Sequence, residues 1–128
     1  MTHPTQKPTA SELEILQVLW TRGPSTVREV YEVLNEKREM GYTSVLKLMQ
    51  IMTEKGSVRR NESQRAHVYE VCQPAEKTKR GLAADVLQRV FDGSASELMM
   101  HALAGHRASK KEIAELRRLL AEYERKQS

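Results

Sequence analysis

Apolar residues recur along this chain at intervals that change twice. Leu13, Leu16, Leu19 and Trp20 come first, at helical spacing. Thr9 and Glu12 precede them in the order of a capping box, in which each side chain satisfies a free N–H of the first turn. The pattern ends near Arg22, before the turn-forming pair Gly23-Pro24. A second stripe holds Val27, Val30, Tyr31 and Leu34, capped by Thr26 with Glu29 or by Ser25. It runs into the charged segment NEKREMG. In the third stripe, stepping about 100° per residue brings Leu48, Met49 and Met52 close to Val45. Thr43, Lys47, Gln50 and Glu54 lie opposite, with Leu46 and Ile51 on the flanks. Gly56 is placed to end that helix in a left-handed conformation.

After Gly56 the period falls to two. SVRR and AHVYEVC read as strands, with Val68 alternating against Tyr69 and Val71 against Glu70. NESQR between them is polar and turn-forming, so the segment predicts a β-hairpin. Beyond Pro74 the helical period returns. One helix is expected over residues 76–92, broken at Asp92-Gly93. Ser94 and Glu97 open a short second helix ending at Gly105, and Ser109 and Glu112 cap a last one. The expected fold is mainly α with one small hairpin. Residues 1–8, with two prolines and no apolar rhythm, read as a flexible arm; 9–73 and 74–128 read as two domains.

Composition narrows the function classes. The 128 residues carry a net charge of +4, and aromatics make up 5%. Leu, Val, Ile, Met and Ala must therefore carry the packing, and a chain so poor in large side chains gains from oligomerising. The charge is spread evenly, so binding of an anionic polymer requires a local concentration of cations. Cys72 is the single cysteine, which rules out an intramolecular disulfide; at a strand end with no histidine at recognisable spacing, it reads as a buried thiol. No apolar run is long enough to span a membrane, and MTHPTQKPTA has no apolar signal core, so the chain reads as cytoplasmic. The imidazoles are His3, His67, His101 and His106; the last two are five apart and do not share a helix face. No phosphate loop, paired-carboxylate site or metal-ligand spacing occurs. The chain reads as a non-enzyme with no cofactor and no metal.

The third helix carries the most specific signal. Residues 41–53 contain no Asp or Glu, and the outer face offers Thr43, Ser44, Lys47 and Gln50. A B-DNA major groove, about 12 Å wide, admits one α-helix. Acids on the inserted face would meet phosphate repulsion. Thr43 and Ser44 sit at the helix start, where phosphate is favoured. Lys suits guanine or phosphate, and Gln suits adenine. Arg59, Arg60, Arg65 and His67 on the hairpin are candidates for phosphate contacts, which position the protein rather than specify sequence; the alternative for Arg59 and Arg60 is solvated edge charge. Three helices followed by a hairpin describe a winged helix-turn-helix.

The stretches TASELEILQVLWTRGPSTVREVYEVL, YTSVLKLMQIMTEKGSVRR and AHVYEV resemble the penicillinase-repressor (BlaI/MecI/CopY) family of bacterial transcriptional regulators. The pattern E-x-x-I-L-x-x-L-W ending at Trp20, the helix T-S-V to K-G, and the H-V-Y strand carry the likeness, which runs from about Thr9 to Tyr123. It implies a winged-helix N-terminal domain, a helical dimerisation domain, and repression from inverted-repeat operators, commonly of TACA/TGTA type. By position, Thr43, Ser44, Lys47 and Gln50 match the recognition helix, and Arg59 to His67 the wing. It also implies relief of repression through a membrane sensor metalloprotease and cleavage within the dimerisation domain. In the corresponding segment, ELMMHALAGH, His101-Ala102 replaces the family's Asn-Phe bond. The cysteine-rich metal motif of the copper-responsive branch is missing from LAEYERKQS.

The last 55 residues make three helices too short to enclose a core of their own. Leu82, Val86, Val90, Leu98, Leu103, Ile113, Leu116, Leu120 and Tyr123 form their apolar faces, expected to meet a second copy in a homodimer. Such a dimer presents two recognition helices about 34 Å apart, one turn of duplex. The alternative is that these helices fold back on the winged domain. For the whole protein two further readings stand: a winged-helix protein-interaction module without sequence-specific DNA binding, and a small enzyme or metal sensor.

Overall fold

The computed structural model describes residues 7–63 and 65–127. His3 and all but the last two residues of the expected arm lie outside that range. The elements in chain order are α1 (Ala10–Arg22), β1 (Ser25–Thr26), α2 (Val27–Lys37), α3 (Tyr42–Lys55), β2 (Val58–Asn61), β3 (Val68–Val71), α4 (Ala75–Arg89), α5 (Ala95–Ala104) and α6 (Lys110–Gln127). The fold is mainly helical with a small antiparallel sheet, a winged helix followed by a helical segment. The chain divides into two compact units between Leu82 and Ala83, inside α4.

Capping decides where the first two helices start. Thr9 Oγ1 accepts the Glu12 N–H at 3.2 Å, and Glu12 Oε1 accepts the Thr9 N–H at 3.1 Å. The same reciprocal pair joins Thr26 and Glu29, which makes Thr26, not Ser25, the cap of α2. Ser25 does different work. Fully buried, it donates from Oγ to the Gly23 carbonyl at 2.9 Å and pairs with Tyr69 as part of β1. That strand is an addition to the expected hairpin: the sheet order is β1-β3-β2, so β3 is central. Two residues escape a periodicity test, because a period needs more than one repeat.

The core of the first unit is built on α1. Ile15, Leu16, Val18 and Leu19 are buried, a wider arc than the expected stripe, because α2, α3 and β3 all pack against this helix. Leu13 and Trp20 sit at its margin. Val27, Val30 and Leu34 enter from α2, and Val45, Met49 and Met52 from α3. On β3 the inward residues are Tyr69 and Val71, two apart and so on one sheet face. Gly56 takes φ 82°, ψ 11°, which turns the chain left-handed out of α3 and returns its N–H to the Met52 and Thr53 carbonyls.

The second unit is locally well formed but shallow. Ser94 Oγ accepts the Glu97 N–H, and Ser109 Oγ the Glu112 N–H, as the sequence implies. The first helix stops at Arg89 rather than 92, because Asp92 and Gly93 both take positive φ and the Gly93 N–H closes onto the Leu87 carbonyl. No described residue of α4, α5 or α6 is buried.

Glu29 is held below the usual carboxylate range, first by the Thr26 backbone N–H and then by the Arg22 guanidinium at 3.0 Å. A depressed folded-state pKa stabilises above the unfolded value, about 4.3, and that contribution is lost as pH falls through the folded value. Glu29→Gln keeps a capping oxygen and removes the charge. Urea unfolding should show the wild type more stable than this variant at pH 6, with the difference shrinking steadily toward pH 3.

Candidate nucleic-acid interface

α3 is gripped on one side and bare on the other. Val45, Met49 and Met52 have no accessible surface, whereas Thr43, Ser44, Lys47 and Gln50 are exposed. Among the described residues these four make no side-chain hydrogen bond or ion pair. The helix begins at Gly41, which has no side chain to cap it, so the first-turn N–H groups stay open to an anion. The acid-free face read from sequence is thus a free surface, with hydroxyl, ammonium and amide groups placed along one side of a rigid rod.

The wing leaves α3 directly through Gly56 and Ser57. Ser57 donates from both its N–H and its hydroxyl to the Met52 carbonyl, and its own carbonyl receives the Cys72 N–H. β2 then carries Arg59 and Arg60, exposed and in register with Glu70 and Tyr69. Neither cation is unpaired. Arg59 donates to Glu70, and Arg60 donates from Nε to Glu62 at 2.7 Å. Glu70 raises the pKa of Arg59; the Tyr69 hydroxyl, then Glu62, raises that of Arg60. Both stay charged at any working pH, and in each the carboxylate competes with a phosphate for the guanidinium. Both line a groove of about 490 Å³ with Thr53 of α3, Glu62 and Cys72. Arg65 and His67 are exposed beyond it.

Three neighbours escaped the sequence reading. Arg28, near the start of α2, lies 5.4 Å over the ring of Tyr42, the first residue of α3. Tyr31 meets the same ring edge-on at 5.6 Å. An exposed guanidinium thus stands beside the open N-terminus of α3. The helix-turn-helix arrangement itself, which brings the start of α2 near the start of α3, was the available signal. Lys55 is the third: its ammonium is turned inward to Glu12 at 2.7 Å.

One expectation is corrected outright. Cys72 is exposed, not buried: it lies just past β3, where the chain leaves the sheet, and its backbone rather than its thiol is held. Leu82, the last residue of the first unit, and Leu98 and Leu116 of the second are half-buried. Val86, Val90, Leu103, Ile113, Leu120 and Tyr123 are 40–66% exposed, joined by Met100 and Leu119. His101 and Ala102 are exposed on α5, with the His101 ring 5.6 Å from Phe91.

The family model of the penicillinase repressor matches residues 8–122. The chain belongs to the penicillinase repressor family. Its similarity to a transcriptional regulator, BlaI, of Mycobacterium tuberculosis (strains CDC 1551 and H37Rv) is 34% identity over 115 residues, covering 88% of this chain and 82% of the relative. Membership places this penicillinase-repressor chain among DNA-binding transcriptional repressors, and among the described residues no helix is long and apolar enough to cross a membrane.

Lys47 and Gln50 are exposed and make no side-chain hydrogen bond or ion pair among the described residues, so replacing them should leave the fold intact. Lys47→Ala and Gln50→Ala should each weaken binding to the preferred duplex by about 1–3 kcal/mol, measured by anisotropy at fixed salt, with an unchanged melting temperature.

Proposed function

We propose that this protein is a homodimeric repressor that reads an inverted-repeat operator through α3 and steadies itself on phosphate through the wing. The observation that carries the proposal is the bare face of α3: four exposed polar residues, no acid before Glu54, and an uncapped helix start. Thr43 and Ser44 take phosphate, Lys47 and Gln50 read base edges, and Arg59, Arg60, Arg65 and His67 hold the backbone. The resemblance favours TACA/TGTA half-sites.

Residues 74–128 supply the dimer. Helices with no buried residue and apolar side chains 40–66% exposed support a packing partner outside the chain. A twofold pair gives two α3 helices about 34 Å apart, matching half-sites one turn apart. Relief of repression comes from a membrane sensor, by proteolysis in the α5 region or by another signal. His101-Ala102 is helical, and cleavage there requires local unwinding of α5, because a protease takes its substrate extended.

Selection of bound duplexes from a random pool tests the reading directly: an inverted repeat should emerge. A dimer with about six phosphate contacts should lose about a thousandfold in affinity between 50 and 200 mM salt. A protein-interaction module would select no sequence and show no such slope. Joint replacement of Leu116 and Leu120 by Lys should give monomers in sedimentation and lower operator affinity by about 10²–10⁴-fold, the avidity of two linked sites.

A further inference from the structure

The ion pair of Glu12 and Lys55 joins the first turn of α1 to the last residue of α3. Glu12 Oε1 lies 2.7 Å from Lys55 Nζ and also accepts the Thr9 N–H of the capping box. Lys55 Nζ donates as well to the Lys7 carbonyl at 3.4 Å. The Glu12 side chain is 4% exposed and that of Lys55 20%, whereas Arg59 in the Arg59–Glu70 pair is 66% exposed. Shielded from water and salt, the Glu12–Lys55 pair keeps a geometry that surface pairs do not.

Its position matters more than its strength. Lys55 ends α3, Gly56 turns the chain, and Val58 begins β2. The reading helix and the wing depart from this one junction. Inside the fold, Val45 anchors the start of α3, but in the half nearer Lys55 the buried residues are Met49 and Met52, long unbranched side chains that adapt to small slides and rotations. Apolar packing has no direction; a charged hydrogen bond does. Base-edge contacts tolerate displacement of only about 0.5 Å and 10–20°, while phosphate contacts carry no sequence information.

We infer that Glu12 and Lys55 are positioning residues for operator recognition: their buried pair fixes the seating of α3 and the wing root and touches no DNA itself. This rests on the operator-reading role proposed for α3. It also reverses the obvious role for a lysine at the end of a reading helix, a phosphate contact. The two roles give opposite signs for Glu12→Gln, which removes the negative charge but keeps an oxygen for the Thr9 N–H. A phosphate-binding Lys55 would be freed by it; a positioning pair would be broken.

The test uses full-length wild type, Glu12→Gln, Lys55→Met and Lys55→Arg, titrated by anisotropy against the selected operator and an unrelated duplex at several salt concentrations. Circular dichroism fixes a temperature at which all four are folded. Glu12→Gln and Lys55→Met should lose about tenfold on the operator, the scale of one base contact, with little change on the unrelated duplex or in the salt slope. Lys55→Arg should recover most of the loss. Simple loss of folded protein lowers both affinities together, so the ratio reports seating and not stability. Glu12→Gln binding the operator as well as or better than wild type overturns the inference. So does Lys55→Met losing equally on both duplexes with a salt slope reduced by about one, or Lys55→Arg as poor as Lys55→Met. A wild type that does not distinguish the duplexes overturns the operator-reading role and the inference with it. Unchanged variants beside a discriminating wild type overturn the inference alone.

Discussion

A helix offered to a groove has to be held from one side only. Here the hold is the burial of Val45, Met49 and Met52 in the core that α1 and α2 form with α3, and on the proposed reading everything on the DNA-facing side follows from it. Full burial of those three leaves about half of α3 in water. It forces Thr43, Lys47 and Gln50 outward, because a helix that buries positions 45, 49 and 52 turns 43, 47 and 50 away. The position of the wing follows too, since β2 starts three residues after α3 ends and its first residue, Val58, is itself buried. The grip on α3 and the anchoring of the wing are therefore one packing event, and cooperative loss of one entails loss of the other.

What could be read before the fold was known divides along physical lines. Helix starts were legible because capping is chemistry within four residues: Thr9 with Glu12 and Ser94 with Glu97 are found where the sequence puts them. So was the bare face of α3, because periodicity alone separates its two sides. Long-range pairings were not. Nothing local says that Ser25 joins Tyr69 in a third strand, that Arg28 lies over Tyr42, or that Lys55 turns inward to a glutamate 43 residues earlier. The exposure of Cys72 was missed for a related reason. Strand ends are where a period-two rule stops applying, and an apolar-looking thiol one residue past β3 has left the sheet.

The two units are stabilised on different terms. Among the described residues the first has twelve buried apolar side chains in one cluster and two buried polar ones, Glu12 and Ser25, both hydrogen-bonded. The second has well-capped helices and no buried residue among those described. Caps contribute about 1 kcal/mol each, enough to set where a helix begins but not to hold three helices together. The missing term is burial, and the side chains that supply it are already aligned: Leu116, Leu120 and Tyr123 recur along α6 at intervals of four and three, the spacing of one helix face. A second copy offers the same stripe. On the proposed reading, dimerisation is the completion of a core.

On the proposed reading the charges of the wing take a definite place in recognition. Arg59 and Arg60 each face a carboxylate in the free protein, so their net pull on any duplex is smaller than two arginines suggest. Sequence-blind attraction to phosphate is the main source of binding to the wrong site. Pairing the wing cations with Glu70 and Glu62 lowers that attraction without touching the face that carries base information. α3 has no such compensation: Lys47 has no partner among the described residues, and no acid lies within 41–53. On the proposed reading the balance of binding energy shifts from the backbone toward the bases, which is the direction a repressor needs if it is to find one operator among many competing duplex sites.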